Sequence, residues 1–151
     1  MRRSLTLLPW LLVSCGPAPL PSAAECRALA EPKAVIDRCF GGDVKPGNYV
    51  GDLKCWPFSA PERMSGVWQT GFEVSDFFPG ASKLPDDKDY EINIWLTAAP
   101  GTPELASGKY RGEFIGRRAL CDGTFGHLGA YPRQVIVERM LSMTKLPASG
   151  L

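Results

Sequence analysis

The spacing of apolar residues changes character along the chain. From Ala23 to Phe40, Leu29, Val35, Ile36 and Phe40 recur among polar neighbours, which predicts one broken helix or two short helical turns. Pro32 is placed to begin a helix, and Gly41 with Gly42 to end one. Beyond Gly42 the pattern is that of strands. Tyr49 to Trp56 is a short candidate closed by Pro57, and Ser65 to Phe72 is aromatic and β-branched, with Gly66 and Gly71 marking bends or close backbone approaches. Tyr90 to Thr97 alternates most cleanly, with Tyr90, Ile92, Ile94 and Leu96 on one face and Glu91, Asn93, Trp95 and Thr97 on the other. Lys109 to Arg118 places Tyr110 and Phe114 in register with Gly112 and Gly116 between them, and Gln134 to Met143 sets Val135, Val137 and Leu141 against Ile136, Glu138 and Met140.

The connections, 57–61, 79–89, 98–108 and 122–132, are rich in proline and glycine. Five strands, glycines inside long strands and one helical segment predict a mainly β domain over residues 23–151. The expected form is a small, strongly bent barrel, OB-like or related, with a short N-terminal helical segment; closure also removes sticky strand edges. A two-sheet sandwich is the alternative. No internal repeat is present.

The first two dozen residues read as an address. Met1, Arg2 and Arg3 precede an apolar run of nine residues, Leu5 to Val13, and the chain then switches to small residues and prolines, the layout of a secretory signal. A helix needs about 20 apolar residues to span a bilayer, so this run is too short to be a transmembrane anchor. Leu12, Val13, Ser14 and Cys15 resemble the lipobox of bacterial lipoproteins, whose dedicated peptidase cuts before a lipid-modified cysteine. The resemblance implies a signal over 1–14, lipid on Cys15 and attachment to the membrane through it. Gly16 after the cysteine, in place of an aspartate, implies the outer membrane facing the periplasm. Residues 15–22 carry prolines at 17, 19 and 21, which favour an extended spacer of about 3.1 Å per residue. Cleavage after Ala24 is the alternative, since Ser22, Ala23 and Ala24 satisfy the ordinary signal peptidase, and it would yield a soluble periplasmic protein.

Removing Cys15 from the five cysteines leaves Cys26, Cys39, Cys55 and Cys121, an even set that predicts two disulfides in an exported domain. A straight helix from 26 to 39 would hold its ends about 20 Å apart, too far for a bridge unless the helix breaks at Pro32. The cysteines of the helical segment are therefore expected to bridge to the β part, partners unassigned. No C-x-x-C pair is present and the single histidine is remote from most cysteines, so neither zinc nor any cofactor is expected. Without Arg2 and Arg3 the 17 basic residues fall to 15 against 16 acidic. Near neutrality argues against nucleic acid as a partner.

Candidate chemistry is sparse. His127, within Gly126-His127-Leu128-Gly129, is either a general base or ligand in a glycine-flanked loop or a histidine bonded to that loop. Ser75, between Glu73 and Asp76, lacks any recognised nucleophile setting. Trp68, Phe72, Phe77 and Phe78 mixed with Glu73, Ser75 and Asp76 read either as a recognition surface or as core alternating with solvent-facing acids. Arg117 and Arg118 follow a strand, and one of them is expected to pair with Glu73 or Asp76 across the sheet. Asp86, Asp87 and Asp89 form a loop cluster that departs from the EF-hand pattern.

Ser107, Gly108, Lys109 and Tyr110 resemble part of the loop used by periplasmic lipoprotein inhibitors of C-type lysozyme, small disulfide-bonded β-barrels. The longer repeated Ser-Gly pattern of that family is missing, so the resemblance carries over no inhibitory residue. It implies that a binding role suits such a scaffold. The expectation is a non-enzymatic lipoprotein that binds a protein, glycan or envelope component through Trp68, Glu73, Arg117 and His127. An envelope hydrolase using His127 with a nearby carboxylate is the alternative.

Overall fold

The computed structural model describes residues 19–45, 47–84, 94–98 and 105–147. The expected signal, Cys15, the Asp86, Asp87 and Asp89 cluster and the first half of the strand expected at Tyr90 to Thr97 lie outside the described residues.

Two short helices open the domain. In α1, Ala23–Ala30, Ser22 and Glu25 form a reciprocal capping box that satisfies both the Glu25 and the Ser22 backbone N–H groups. Glu31 breaks the helical run, Pro32 begins α2 at Pro32–Phe40, and Gly41 ends it in the left-handed conformation at φ 64°. The stretch expected as a strand from Tyr49 to Trp56 instead holds a helical turn, α3, at Asp52–Cys55. Gly51 at φ 89° turns the chain out of the extended conformation, and the turn that follows brings Cys55 to Cys39.

Five strands follow: β1 Glu62–Gly71, β2 Val74–Pro79, β3 Ile94–Thr97, β4 Gly108–Arg118 and β5 Arg133–Lys145. The expected number is correct, but its membership differs, because β2 replaces the strand expected at Tyr49. The β1–β2 hairpin turns on Phe72 and Glu73, with Glu73 at φ 57°. Tight hairpins ordinarily advertise themselves by Asn-Gly or Gly at that point, which is why β1 and β2 read as one continuous aromatic stretch.

The sheet closes in the order β1-β2-β3-β5-β4 and back to β1, with every pair antiparallel except β3 with β5. This is the small bent barrel of the expected OB-like kind, and not a sandwich. Two glycines allow the closure. A Cβ on Gly66 would lie 2.3 Å from the Phe78 carbonyl oxygen, and one on Gly116 would lie 2.6 Å from that of Ile136. Register shifts near Phe114 and Gly116 bend β4 against β5.

Met64, Trp68, Phe77, Ile94, Leu96, Phe114, Val135 and Val137 fill the barrel. A second cluster, Cys39, Cys55, Trp56 and Phe125, lies between the helices and the β4–β5 connection, with Trp95 and Tyr131 packed against it. Two disulfides fasten this layer. Cys26 in α1 bridges to Cys121 just beyond β4, the expected link from helix to β part, whereas Cys39 in α2 bridges to Cys55 in α3. Arg38 stacks over Trp56 and donates hydrogen bonds to the carbonyls of Leu29 and Cys55, tying α1, α2 and α3 together.

Candidate functional site

The β4–β5 connection, 119–132, folds across the outer face of β2 and β3 rather than leaving the barrel. Tyr131 donates to Asp76 Oδ1 on β2 at 2.8 Å and meets Trp95 on β3 edge to face, with centroids 4.9 Å apart. Phe125 and Tyr131 exchange backbone hydrogen bonds, closing the loop on itself. Gly126, at φ 68°, packs against the Trp95 ring so closely that a Cβ there would fall 2.5 Å from it. The loop is thus pressed onto the sheet, and its tip, the short turn His127–Gly129, reaches the β1–β2 hairpin. There His127 Nε2 lies 3.3 Å from Glu73 Oε1.

Opposite the loop stands α3. Asp52 accepts from Gln134 Nε2 on β5 at 2.7 Å and from the Tyr49 hydroxyl, and the same Gln134 amide donates to Thr97 Oγ1 on β3 at 2.7 Å. Partial burial, then the hydrogen bond and charge of Asp52, push the Tyr49 hydroxyl well above its ordinary pKa. It remains a neutral donor throughout the physiological range. Between loop and helix runs an open cleft of about 610 Å³, with Glu73 and His127 at one end and Asp52 and Gln134 at the other.

Of the residues singled out from sequence, Glu73 and His127 come together in this cleft. Trp68 sits in the barrel core, 7% exposed, where its indole N–H donates to Ser75 Oγ at 2.9 Å. Ser75 is committed there too, donating to the Leu96 carbonyl at 2.6 Å, and is not a partner of His127. Arg117 lies apart from the cleft, bound to Glu138 and the Ser59 carbonyl, while Arg118 grips Glu62 through two hydrogen bonds. The expected pairing of either arginine with Glu73 or Asp76 is therefore not formed. β4 runs antiparallel to β1, so its Arg117–Arg118 end lies beside Glu62 at the start of β1, while the hairpin that follows β1 lies beside Gly108 at the other end of the ladder. Tyr110, in the segment resembling the inhibitor loop, is buried and donates to the Ala106 carbonyl.

Asp52, Tyr49, Gln134 and Thr97 were not singled out by the sequence. Reading Tyr49 to Trp56 as a strand hid Asp52, which precedes no apolar period and caps nothing. Gln134 left a trace, an uncharged polar residue just ahead of a Val-Ile-Val run whose two valines are buried. Among the described residues no group of three or more His, Cys, Asp or Glu side chains could hold a metal ion, and no helix is long and apolar enough to cross a membrane.

The fold and cleft define a small disulfide-bonded barrel with a loop-flanked groove on its outer face. No family model, curated protein or solved structure matches the chain.

Proposed function

We propose that this is an exported, lipid-tethered, non-enzymatic binding module whose ligand is a glycan of the cell envelope, held in the cleft between α3 and the β4–β5 loop. The observation that carries the reading is the make-up of that cleft. It combines aromatic surface from Tyr49 and Trp95 with oriented hydrogen-bonding groups on Asp52, Glu73, Gln134 and His127, the mixture that recognises sugars by ring face and hydroxyl together. The cleft takes part of its lining from the tips of the β1–β2 hairpin and the β4–β5 loop, the two loops with which OB-type barrels hold oligosaccharides, a parallel at the level of fold. Glu73 and Leu128 are the non-glycine residues at positive φ among the described residues, one at each loop tip, and such backbone cost is typical of positions kept for function.

The address rests on the lipobox-like Leu12 to Cys15 and on the disulfides, which suit an oxidising compartment. The capping box of α1 adds support, since cleavage after Ala24 would remove the Ser22 cap that Glu25 engages. Intact mass of the native protein tests this half of the proposal: a diacylated Cys15 at the N-terminus is expected, and a start at Glu25 would refute the tether. For the ligand, calorimetric titration with envelope oligosaccharides is expected to give saturable binding that His127→Ala weakens; absence of binding to any glycan would overturn the reading.

The pairing of His127 with Glu73 favours one second reading, an envelope hydrolase in which Glu73 orients His127 as a general base. Release of fragments by the wild type and not by His127→Ala would establish it.

A further inference from the structure

We infer that the hairpin end of the barrel is a membrane-binding face: Phe72 and Leu128 enter an anionic phospholipid surface while Lys109 and Lys145 meet its phosphates. The inference goes beyond the glycan reading and does not depend on it. Among the described residues Leu128 and Phe72 are the most exposed large apolar side chains, at 91% and 88%. Each sits at a loop tip, and the contact of Glu73 with His127 at 3.3 Å brings the two tips to the same end of the molecule. Apolar side chains gathered at one exposed place mark an interaction site.

The conformation of the tips sharpens this. Leu128, in Gly126-His127-Leu128-Gly129, has φ 53°, so a backbone shape that favours glycine carries a bulky apolar side chain that buries almost nothing in the fold. Phe72 stands beside Glu73, itself at φ 57°, in the hairpin turn. Glycine or asparagine would suit the Leu128 turn at lower cost; leucine there serves a surface outside the chain.

Charge separates a lipid surface from an apolar pocket on a protein. The register puts Lys109 opposite Gln69 and Lys145 opposite Tyr110, beside the last residues of β1, so two cations border the tips. Gly71, where the hairpin leaves β1, lies next to the turn into β4, since a Cβ on it would be 3.9 Å from the Ser107 hydroxyl. Of the carboxylates at this end, Glu73 faces His127 and Asp76 accepts from Tyr131. Apolar tips bordered by lysines match the layers of a bilayer interface, acyl chains beneath phosphate.

The chain ahead of the domain is long enough for this contact. Cys26–Cys121 pins α1 at the far end of β4, away from the hairpin. Residues 15–21 reach at most about 25 Å, and β2 is about 20 Å long. A domain tethered through Cys15 can therefore lie on its side and bring the tips to the same bilayer.

The chain from position 15 onward, which holds every described residue, is prepared with both disulfides oxidised and with Cys15→Ala, so that no lipid holds it. Flotation is measured with vesicles of phosphatidylethanolamine and phosphatidylglycerol, and with vesicles of phosphatidylcholine alone. Binding to the anionic vesicles is expected, and about tenfold weaker binding to phosphatidylcholine. Phe72→Ser and Leu128→Asn should each weaken the anionic binding about tenfold with the thermal midpoint unchanged, asparagine being at ease in the left-handed conformation. Lys145→Gln should weaken it about fivefold at low salt. In Phe72→Trp the new indole should be quenched by lipids brominated in their acyl chains, which adsorption to headgroups alone would not produce. Absence of flotation would overturn the inference in favour of an apolar pocket on a protein partner. Flotation that survives both Phe72→Ser and Leu128→Asn would overturn it as well, and equal binding to the two kinds of vesicle would overturn the role of the lysines. None of these outcomes bears on the glycan titration or on the mass of the native protein.

Discussion

In the barrel, eight inward side chains meet across a sheet that closes on itself, and each strand is held along its length by its neighbours. Behind it, the layer formed by α1, α2, α3 and the β4–β5 loop has a smaller cluster, in which cystine sulfur and the edges of Trp56 and Phe125 take the place of aliphatic bulk. Its helices are of eight, nine and four residues, too short to be stable alone. Covalent bonds and the Arg38 contacts substitute for the area the layer does not bury. The cleft lies along the boundary between these two regimes, its floor on β3 and β5 and its walls, α3 and the β4–β5 loop, on the stapled layer. A rigid floor under fastened but shallow walls lets sequence change in the loops without disturbing the barrel.

The comparison predicts that the layer can fail without the barrel but the barrel cannot fail without the layer, and the largest effect belongs to the barrel. Phe114 is 1% exposed and packs on Phe77 at a centroid distance of 5.3 Å. Phe114→Ala should cost about 3–5 kcal/mol, read as a lowered urea midpoint with the whole molecule unfolding together. An intermediate that keeps the helical layer folded while the barrel melts would break the comparison, because that layer would then be self-supporting.

Replacing Cys39 and Cys55 together by serine should cost about 3 kcal/mol, the value for a loop of this length, 16 residues of separation. Here the loss should be local. Amide exchange is expected to quicken in α2, α3 and the β4–β5 loop, while the β1–β4 and β4–β5 ladders keep their protection. Equal loss of protection in β1 and β5 would show that the barrel depends on the staple.

The same division governs what could be read from the sequence. The alternation in β3 to β5 and the apolar aromatics of β1 announce a barrel, since strands facing one core repeat every second residue. The helical layer is legible only through its punctuation at Pro32, Gly41 and Gly42, and through the parity of its cysteines. Where a disulfide overrides local preference, as in Asp52–Cys55, the pattern misleads. Half of the cleft was visible as Glu73 and His127, residues with obvious chemistry. The other half depends on Asp52 and Gln134 meeting across 82 positions, a contact that only closure of the sheet against α3 creates.

Ser75 gives a smaller and sharper test inside the barrel. Its hydroxyl is the partner of Trp68 Nε1 and the donor to the Leu96 carbonyl, so it serves two buried groups at once. Ser75→Ala should cost about 1–3 kcal/mol, because the indole N–H loses its acceptor in the core. Trp68→Phe in the Ser75→Ala background should then cost less than Trp68→Phe alone, a coupling measurable by a double-mutant cycle. Additive losses would mean that Trp68 contributes by volume only.

The smallest effect lies at the far edge of the stapled layer, where α1 begins. The hydrogen bonds from the Ser22 hydroxyl and backbone N–H hold the Glu25 carboxyl below its ordinary pKa, so the proton binds more weakly in the folded protein than in the unfolded chain. The capping contribution is therefore fully present above the ordinary carboxylate pKa and is lost as the pH falls through the depressed folded value. Glu25 is solvent-exposed, and the change should appear as fraying of the first turn, with no movement of the unfolding midpoint. NMR titration is expected to show Glu25 losing its proton at a lower pH than in Ser22→Ala, with faster amide exchange at Glu25 on the acid side. Cys26–Cys121 lies one residue further on and limits how far that fraying can run. With the bridge reduced, the acid-induced loss should extend through all of α1, and confinement to the first turn even then would assign the order of α1 to packing instead of the covalent link.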